Sequence, residues 1–227
     1  MEIAEGFGVT IRKNEVLRLL GCGKTHGELR GDVSDLLDSA TRECYRLIKP
    51  RAIYDWLRVK SVEEKSVRLE KGLVINTGGA IKAWRGADYL GVAICTIGPA
   101  LEERVSELFG NKDYALGVML DTVGSEAVEG VANHVNYLFC QMANGPGLST
   151  GPRLSPGYGK WDLTDQKSIF ALLPGQDIGV HLTEQCMMIP RKSISFCVGI
   201  GKALGHPVIT TPCRHCNMEA CSYRRDG

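Results

Sequence analysis

The chain has 227 residues, 44% of them hydrophobic, enough to build one compact domain or two small lobes, and this excludes disorder as its resting state. Charged residues make up 23% and nearly cancel, at 27 basic against 26 acidic, so no global field draws the protein to nucleic acid or to an anionic membrane. A partner must be recognised by a local site.

Met1 to Gly6 contains two acids and no basic-then-apolar leader, which argues against secretion and for the cytoplasm. Asn14 is placed to cap a short helix, Glu15 to Leu20, that stops at Gly21-Cys22-Gly23. A second helix is expected from Val33 to Ile48, with Leu36, Leu37, Ala40, Cys44, Leu47 and Ile48 on one face and Pro50 beyond its end. From Ala52 to Asn76 the pattern turns strand-like, and Thr77-Gly78-Gly79 breaks it. Tyr89 to Ile97 reads as a buried strand, far short of the ~20 residues that span a bilayer. Gly98-Pro99 then starts a helix to Phe109, closed by Gly110. The longest periodic segment runs from Leu120 to Met142 and is a helix by the spacing of Val123, Ala127, Val131, Val135, Leu138 and Phe139. Asn144-Gly145-Pro146-Gly147 follows as a connection.

Several motifs fail. Gly23-Lys24-Thr25 lacks the earlier glycine of a phosphate loop, because position 18 is Arg18. Gly199, Gly201 and Gly205 miss the dinucleotide spacing by one residue and read as turn glycines. No serine or cysteine sits in a nucleophile setting, and no H-E-x-x-H helix is present.

Arg153-Leu154-Ser155-Pro156-Gly157-Tyr158 is the strongest local signal. A guanidinium forks onto a carboxylate in two parallel bonds. Pro156 stiffens the turn, Gly157 lets a ligand approach the backbone, and Tyr158 adds an aromatic face beside a cation or heterocycle. The set suits a small zwitterion. This hexapeptide, with Trp161-Asp162 and the helix Ser168 to Leu173 behind it, resembles the R-x-[AS]-P-G-Y segment of the activation domain of cobalamin-dependent methionine synthase. Leu182-Thr183-Glu184, Met188-Ile189-Pro190 and Ser193-Ile194-Ser195 are similar to further segments of that family, as are Ser125-Glu126-Ala127 in the long helix and Asn14 to Gly21 near the start.

The resemblance implies an α+β fold, a twisted antiparallel sheet with flanking helices, over residues 1–205. It implies that S-adenosylmethionine is bound, with Arg153 on its carboxylate, Ser155 and Gly157 offering backbone groups, Tyr158 near the transferable methyl, and Glu126 on a cationic or hydroxyl group. The plainer alternative is that Arg153 and Glu126 simply pair with each other and Pro156-Gly157 is only a turn. The family's tyrosine beyond the last strand has no counterpart here, and its acidic ligand contact near the domain start cannot be matched.

Residues 206–227 form a separate cysteine-rich tail. Cys213, Cys216 and Cys221 make C-x2-C-x4-C, a spacing that gathers thiolates around an iron-sulfur cluster or a zinc ion, with Cys197, Cys186, Cys22 or His206 as candidates for a fourth ligand. The family domain has no such tail. The resemblance implies a component of a cobalamin-dependent methyltransferase system that supports reductive remethylation of a corrinoid. The cobalamin must be carried by a partner methyltransferase, because the D-x-H-x-x-G signature of cobalamin binding is missing, and an electron donor such as a flavodoxin or ferredoxin is implied as well. The rivals are an iron-sulfur activase with a vestigial S-adenosylmethionine site, and a non-catalytic docking protein.

Overall fold

The computed structural model describes residues 1–22, 31–77, 82–145, 147–158, 161–202 and 204. Nine strands and five α-helices occur among them: β1 (Glu2–Glu5), α1 (Lys13–Leu19), α2 (Gly31–Leu47), β2 (Arg51–Val62), β3 (Ser66–Leu69), β4 (Val74–Asn76), β5 (Tyr89–Thr96), α3 (Ala100–Gly110), α4 (Tyr114–Asn144), β6 (Ser149–Leu154), α5 (Gln166–Leu172), β7 (His181–Leu182), β8 (Met188–Ile189) and β9 (Ser193–Gly201). The main sheet has the order β4-β3-β2-β5-β9-β6, with β1 also on β2, and every pairing is antiparallel. The expected fold class, helices flanking an antiparallel sheet, is the one observed. Among the described residues no helix is long and apolar enough to cross a membrane.

The period-2 alternation of the strands sorts side chains into two cores. In β5, Ala93 and Cys95 face one side while Leu90, Val92 and Ile94 face the other. In β9, Phe196, Val198 and Ile200 join the first core and Cys197 the second. The first core is roofed by α4, whose Val123, Ala127, Val131, Val135 and Phe139 are fully buried. Its 31 residues make a rod of about 46 Å that crosses the sheet. The second core holds Trp84 and Trp161, packed edge to face at 5.2 Å, with Ile169 of α5.

Several expectations are corrected at the residue level. Asn14 does not cap α1: it lies inside the first turn, and Arg12 occupies the cap with no side-chain cap bond. Gly110 is the last residue of α3, and the left-handed residue beyond it is Lys112 at φ 63°. Gly199 and Gly201 are not turn glycines but lie within β9, where neighbours press on the backbone. A Cβ on Gly199 would stand 2.7 Å from Trp84 Cδ1, and one on Gly201 would stand 2.6 Å from the Gly86 carbonyl. The helix expected from Leu120 to Met142 begins earlier, where Asp113 accepts from the Leu116 N–H at 3.3 Å. The phosphate-loop-like Gly23-Lys24-Thr25 lies outside the described residues.

Candidate functional site

The side chain that the sequence singles out, Arg153, is carried by β6, the edge strand beside β9. Pro152 interrupts that strand, which an edge tolerates because no ladder partner needs its N–H. Between Thr150, opposite Ile200, and Arg153, opposite Val198, the register shifts by one residue. The bulge matters for facing: two residues that strict alternation would place on opposite sides both meet α4. Thr150 Oγ1 lies 3.2 Å from Cys140 Sγ, and Arg153 lies over the Phe196 ring, 5.3 Å from its centroid.

Arg153 is 14% exposed at its side chain and is held by α4. Its Nη2 donates to Glu129 Oε2 and its Nη1 to Asn133 Oδ1 at 3.3 Å. Ser125, Glu129 and Asn133 repeat at i, i+4 and form a polar stripe beside the buried apolar face of α4. One turn toward the start of α4, Lys192 Nζ bonds Ser125 Oγ at 2.8 Å and Asp121 Oδ1 at 2.9 Å. With Lys192 and Arg153 on it, the stripe is an alternating row of charge along α4.

Glu126 is not the partner of Arg153. It is fully buried and pairs with Arg12, whose Nε lies 2.6 Å from Oε1. That bond, more than any other influence, raises the Arg12 guanidinium above its ordinary value. Glu126 Oε2 has no hydrogen-bond partner among the described residues. Arg12 ends a strap, residues 7–12, laid along α4. Phe7 stacks on His134 at 4.2 Å, and a Cβ on Gly130 would come within 2.6 Å of Val9 Cγ1, so only glycine admits the strap there. Arg12, Glu126, Glu129 and Arg153 together place two arginines and two carboxylates on about one turn of helix.

The turn after β6 closes on itself. Gly157 N–H donates to the Trp161 carbonyl at 2.9 Å and Tyr158 N–H to the Ser155 carbonyl at 3.2 Å. The backbone groups of Ser155 and Gly157, expected to face a ligand, are thus engaged in holding the turn. Gly157 has φ 90°, and an added Cβ would sit 3.3 Å from Leu163 Cδ1, so glycine is required by conformation. Tyr158 is 51% exposed, its ring turned to the surface beside the turn. Trp161 anchors the segment: its indole donates to the Asn76 carbonyl at 2.8 Å from within the second core.

Other motif residues are structural. Ser193 Oγ donates to the Pro190 carbonyl at 2.7 Å, and Ser195 Oγ to Gln166 Oε1 at 2.9 Å, while Gln166 Nε2 reaches the Cys186 carbonyl at 2.6 Å. Cys213, Cys216, Cys221 and His206 lie outside the described residues, as does the proposed tail of residues 206–227. Of the remaining fourth-ligand candidates, Cys186 and Cys197 are buried and Cys22 is exposed. Among the described residues no group of three or more histidine, cysteine, aspartate or glutamate side chains could hold a metal ion. Burial pushes the Cys95 thiol up to about 12 and raises that of Cys197 further, so these two stay protonated as core side chains.

The residues that sequence reading missed are Arg12, Glu129, Asn133, Lys192 and Phe196. A polar stripe at i, i+4 spacing through a helix of buried residues was the available signal for Ser125, Glu129 and Asn133. Arg12, Lys192 and Phe196 are brought in by tertiary packing and left no local trace.

Comparison with known proteins bears on the fold and the family. Among solved structures, a crystal structure of the MetH reactivation domain bound to AdoHcy matches with a TM-score of 0.67 at 14% identity, over 92% of this chain and 81% of that one. The likeness establishes a shared fold. No curated relative matches by sequence. A family model described as vitamin B12 dependent methionine synthase, activation domain, matches residues 80–204, which take in β5, the polar stripe of α4, the Arg153 arm, the Pro156-Gly157 turn and β9. With more than half of its length matched, the chain belongs to the vitamin B12 dependent methionine synthase activation domain family.

Proposed function

We propose that this protein binds S-adenosylmethionine between α4 and the turn at residues 155–158, and so supports reductive remethylation of a corrinoid carried by a partner methyltransferase. The observation that carries the reading is Arg153, set by a strand bulge over Phe196 and beside a glycine turn, within a segment matched to this family. A reactivation domain of the same fold is bound to AdoHcy, the demethylated form of the proposed ligand.

The contact with Glu129 and Asn133 does not exhaust Arg153. A guanidinium has five N–H donors, so a ligand carboxylate can be taken on those that α4 leaves over. Bound there, S-adenosylmethionine supplies an electrophilic methyl on its sulfonium. The chain's own work is to orient it: Arg153 fixes the headgroup and Tyr158 lines the approach, while Glu126, expected from the resemblance to meet the ligand, is buried against Arg12 and acts from behind the site by holding the strap. Positioning of this kind needs no protein acid or base. An electron donor of flavodoxin or ferredoxin type completes the reaction. The spacing of Cys213, Cys216 and Cys221 supports a metal centre on the electron's path, which iron, sulfide and zinc analysis after anaerobic purification decides.

Titration calorimetry with S-adenosylmethionine tests the reading. The wild type binds, and Arg153→Ala, which loses a charged fork, binds about 2 to 3 kcal/mol more weakly, tens-fold or more. No binding by the wild type overturns it. One observation favours the second reading, an activase with a vestigial pocket: Arg153 already has a carboxylate neighbour in Glu129. That reading requires the no-binding result.

A further inference from the structure

Beyond the headgroup contact of Arg153, the structure holds a carboxylate that the function above leaves unused. We propose that Glu129 is the receptor for the ligand's α-ammonium, so that Arg153 and Glu129 together read a zwitterionic amino-acid headgroup. The inference rests on the S-adenosylmethionine reading and adds its determinant of specificity.

Geometry is the first argument. In an α-amino acid the ammonium and carboxylate share one carbon, so their receptors must be neighbours. Arg153 and Glu129 are already in hydrogen-bond contact across the gap between β6 and α4. Glu126 is worse placed, because it is fully buried behind the strap and gives Oε1 to Arg12. Glu129 is 27% exposed at its side chain and uses Oε2 on Arg153, which leaves Oε1 for another donor.

Charge is the second. Among the described residues, the neighbouring cations along α4 have carboxylates of their own, Arg12 in Glu126 and Lys192 in Asp121. A carboxylate that faced only Arg153 would lose part of its partner when the ligand's carboxylate arrived on the same guanidinium. An ammonium delivered by the same ligand restores the balance, so the cluster stays neutral with and without its guest. Asn133 and the Phe196 ring keep the guanidinium in place meanwhile. Glu129 is thus a binding residue and not merely the holder of Arg153.

Three probes separate these roles by calorimetry: S-adenosylhomocysteine, the 5′-S-(3-carboxypropyl)-5′-thioadenosine that lacks its ammonium, and the 5′-S-(3-aminopropyl)-5′-thioadenosine that lacks its carboxylate. The wild type favours S-adenosylhomocysteine over the carboxypropyl probe by about tenfold or more, the scale of one charged hydrogen bond. Glu129→Gln keeps an acceptor for Arg153 but loses the charge, and brings that ratio close to one while the carboxypropyl probe binds as before. Glu129→Asp recovers part of the preference, and Arg153→Ala weakens the carboxypropyl probe more than the aminopropyl one. The inference is overturned if Glu129→Gln weakens S-adenosylhomocysteine and the carboxypropyl probe equally, or if the wild type binds the two alike. A wild type that binds none of the three overturns the function itself.

Discussion

Two arginine–glutamate pairs stand about one turn apart on α4, and their surroundings give them different work. On the strap side, Glu126 is sealed from solvent and its partner Arg12 reaches in from a half-exposed position. On the β6 side, Glu129 keeps a window to solvent and Arg153 lies flat on an aromatic ring. The chemistry of the pairs is the same. What differs is the packing around them: the strap side is closed by glycine-to-backbone contact and a ring stack, and the β6 side by a bulged edge strand that ends in a turn. Burial turns one pair into a latch and leaves the other open to solvent.

Breaking the latch has the largest expected effect. Arg12→Met leaves a buried carboxylate with no counter-ion and costs about 3 kcal/mol of stability in urea unfolding, less than a fully buried pair because Arg12 is 44% exposed. Adding Glu126→Leu to that variant removes the stranded charge and returns most of the loss. The Arg153→Ala variant sharpens the contrast: Glu129 stays hydrated, so stability falls by only about 1 kcal/mol although ligand affinity falls by more. A stability loss as large as that of Arg12→Met would erase the distinction between the two sides. The smallest effect lies away from both pairs, at Asp162, which accepts from the Thr164 hydroxyl and N–H and is thereby held below its ordinary carboxylate range. With its folded value lowered, the stability it contributes is full above the unfolded value of about 3.8 and is lost as pH falls through the lower folded one. Asp162→Ala removes that part of the acid dependence in a thermal melt series across pH.

Elements whose signal is local could be read from the chain. The apolar repeat of α4 and the apolar run of β5 announce themselves because each buries a regular face. β1 escaped notice because three of its four residues are exposed, and β6 because Gly151-Pro152 reads as a turn when the neighbouring strand is unknown. Pattern reading could not order the strands, since β9 is hydrogen-bonded to two strands distant in sequence. In the site, Arg153 and Gly157 were legible by residue type and spacing, while the pairing of Glu126 with Arg12 was not. That pairing spans 114 residues and depends on where the strap falls across the helix.

The placement of β9 also bears on how the protein is made. Its strand partners β5 and β6 precede it in the chain, so both remain open edges until the residues from Ser193 onward are available. Synthesis must therefore run almost to the end of the described sheet before Phe196 slides beneath Arg153. Long-range closure of this kind is slow compared with helix formation, and a ribosome-bound intermediate would carry α4 complete with its charged row but with no aromatic floor. The Arg153 guanidinium thus gains its aromatic support only once the strand from Ser193 onward has been made.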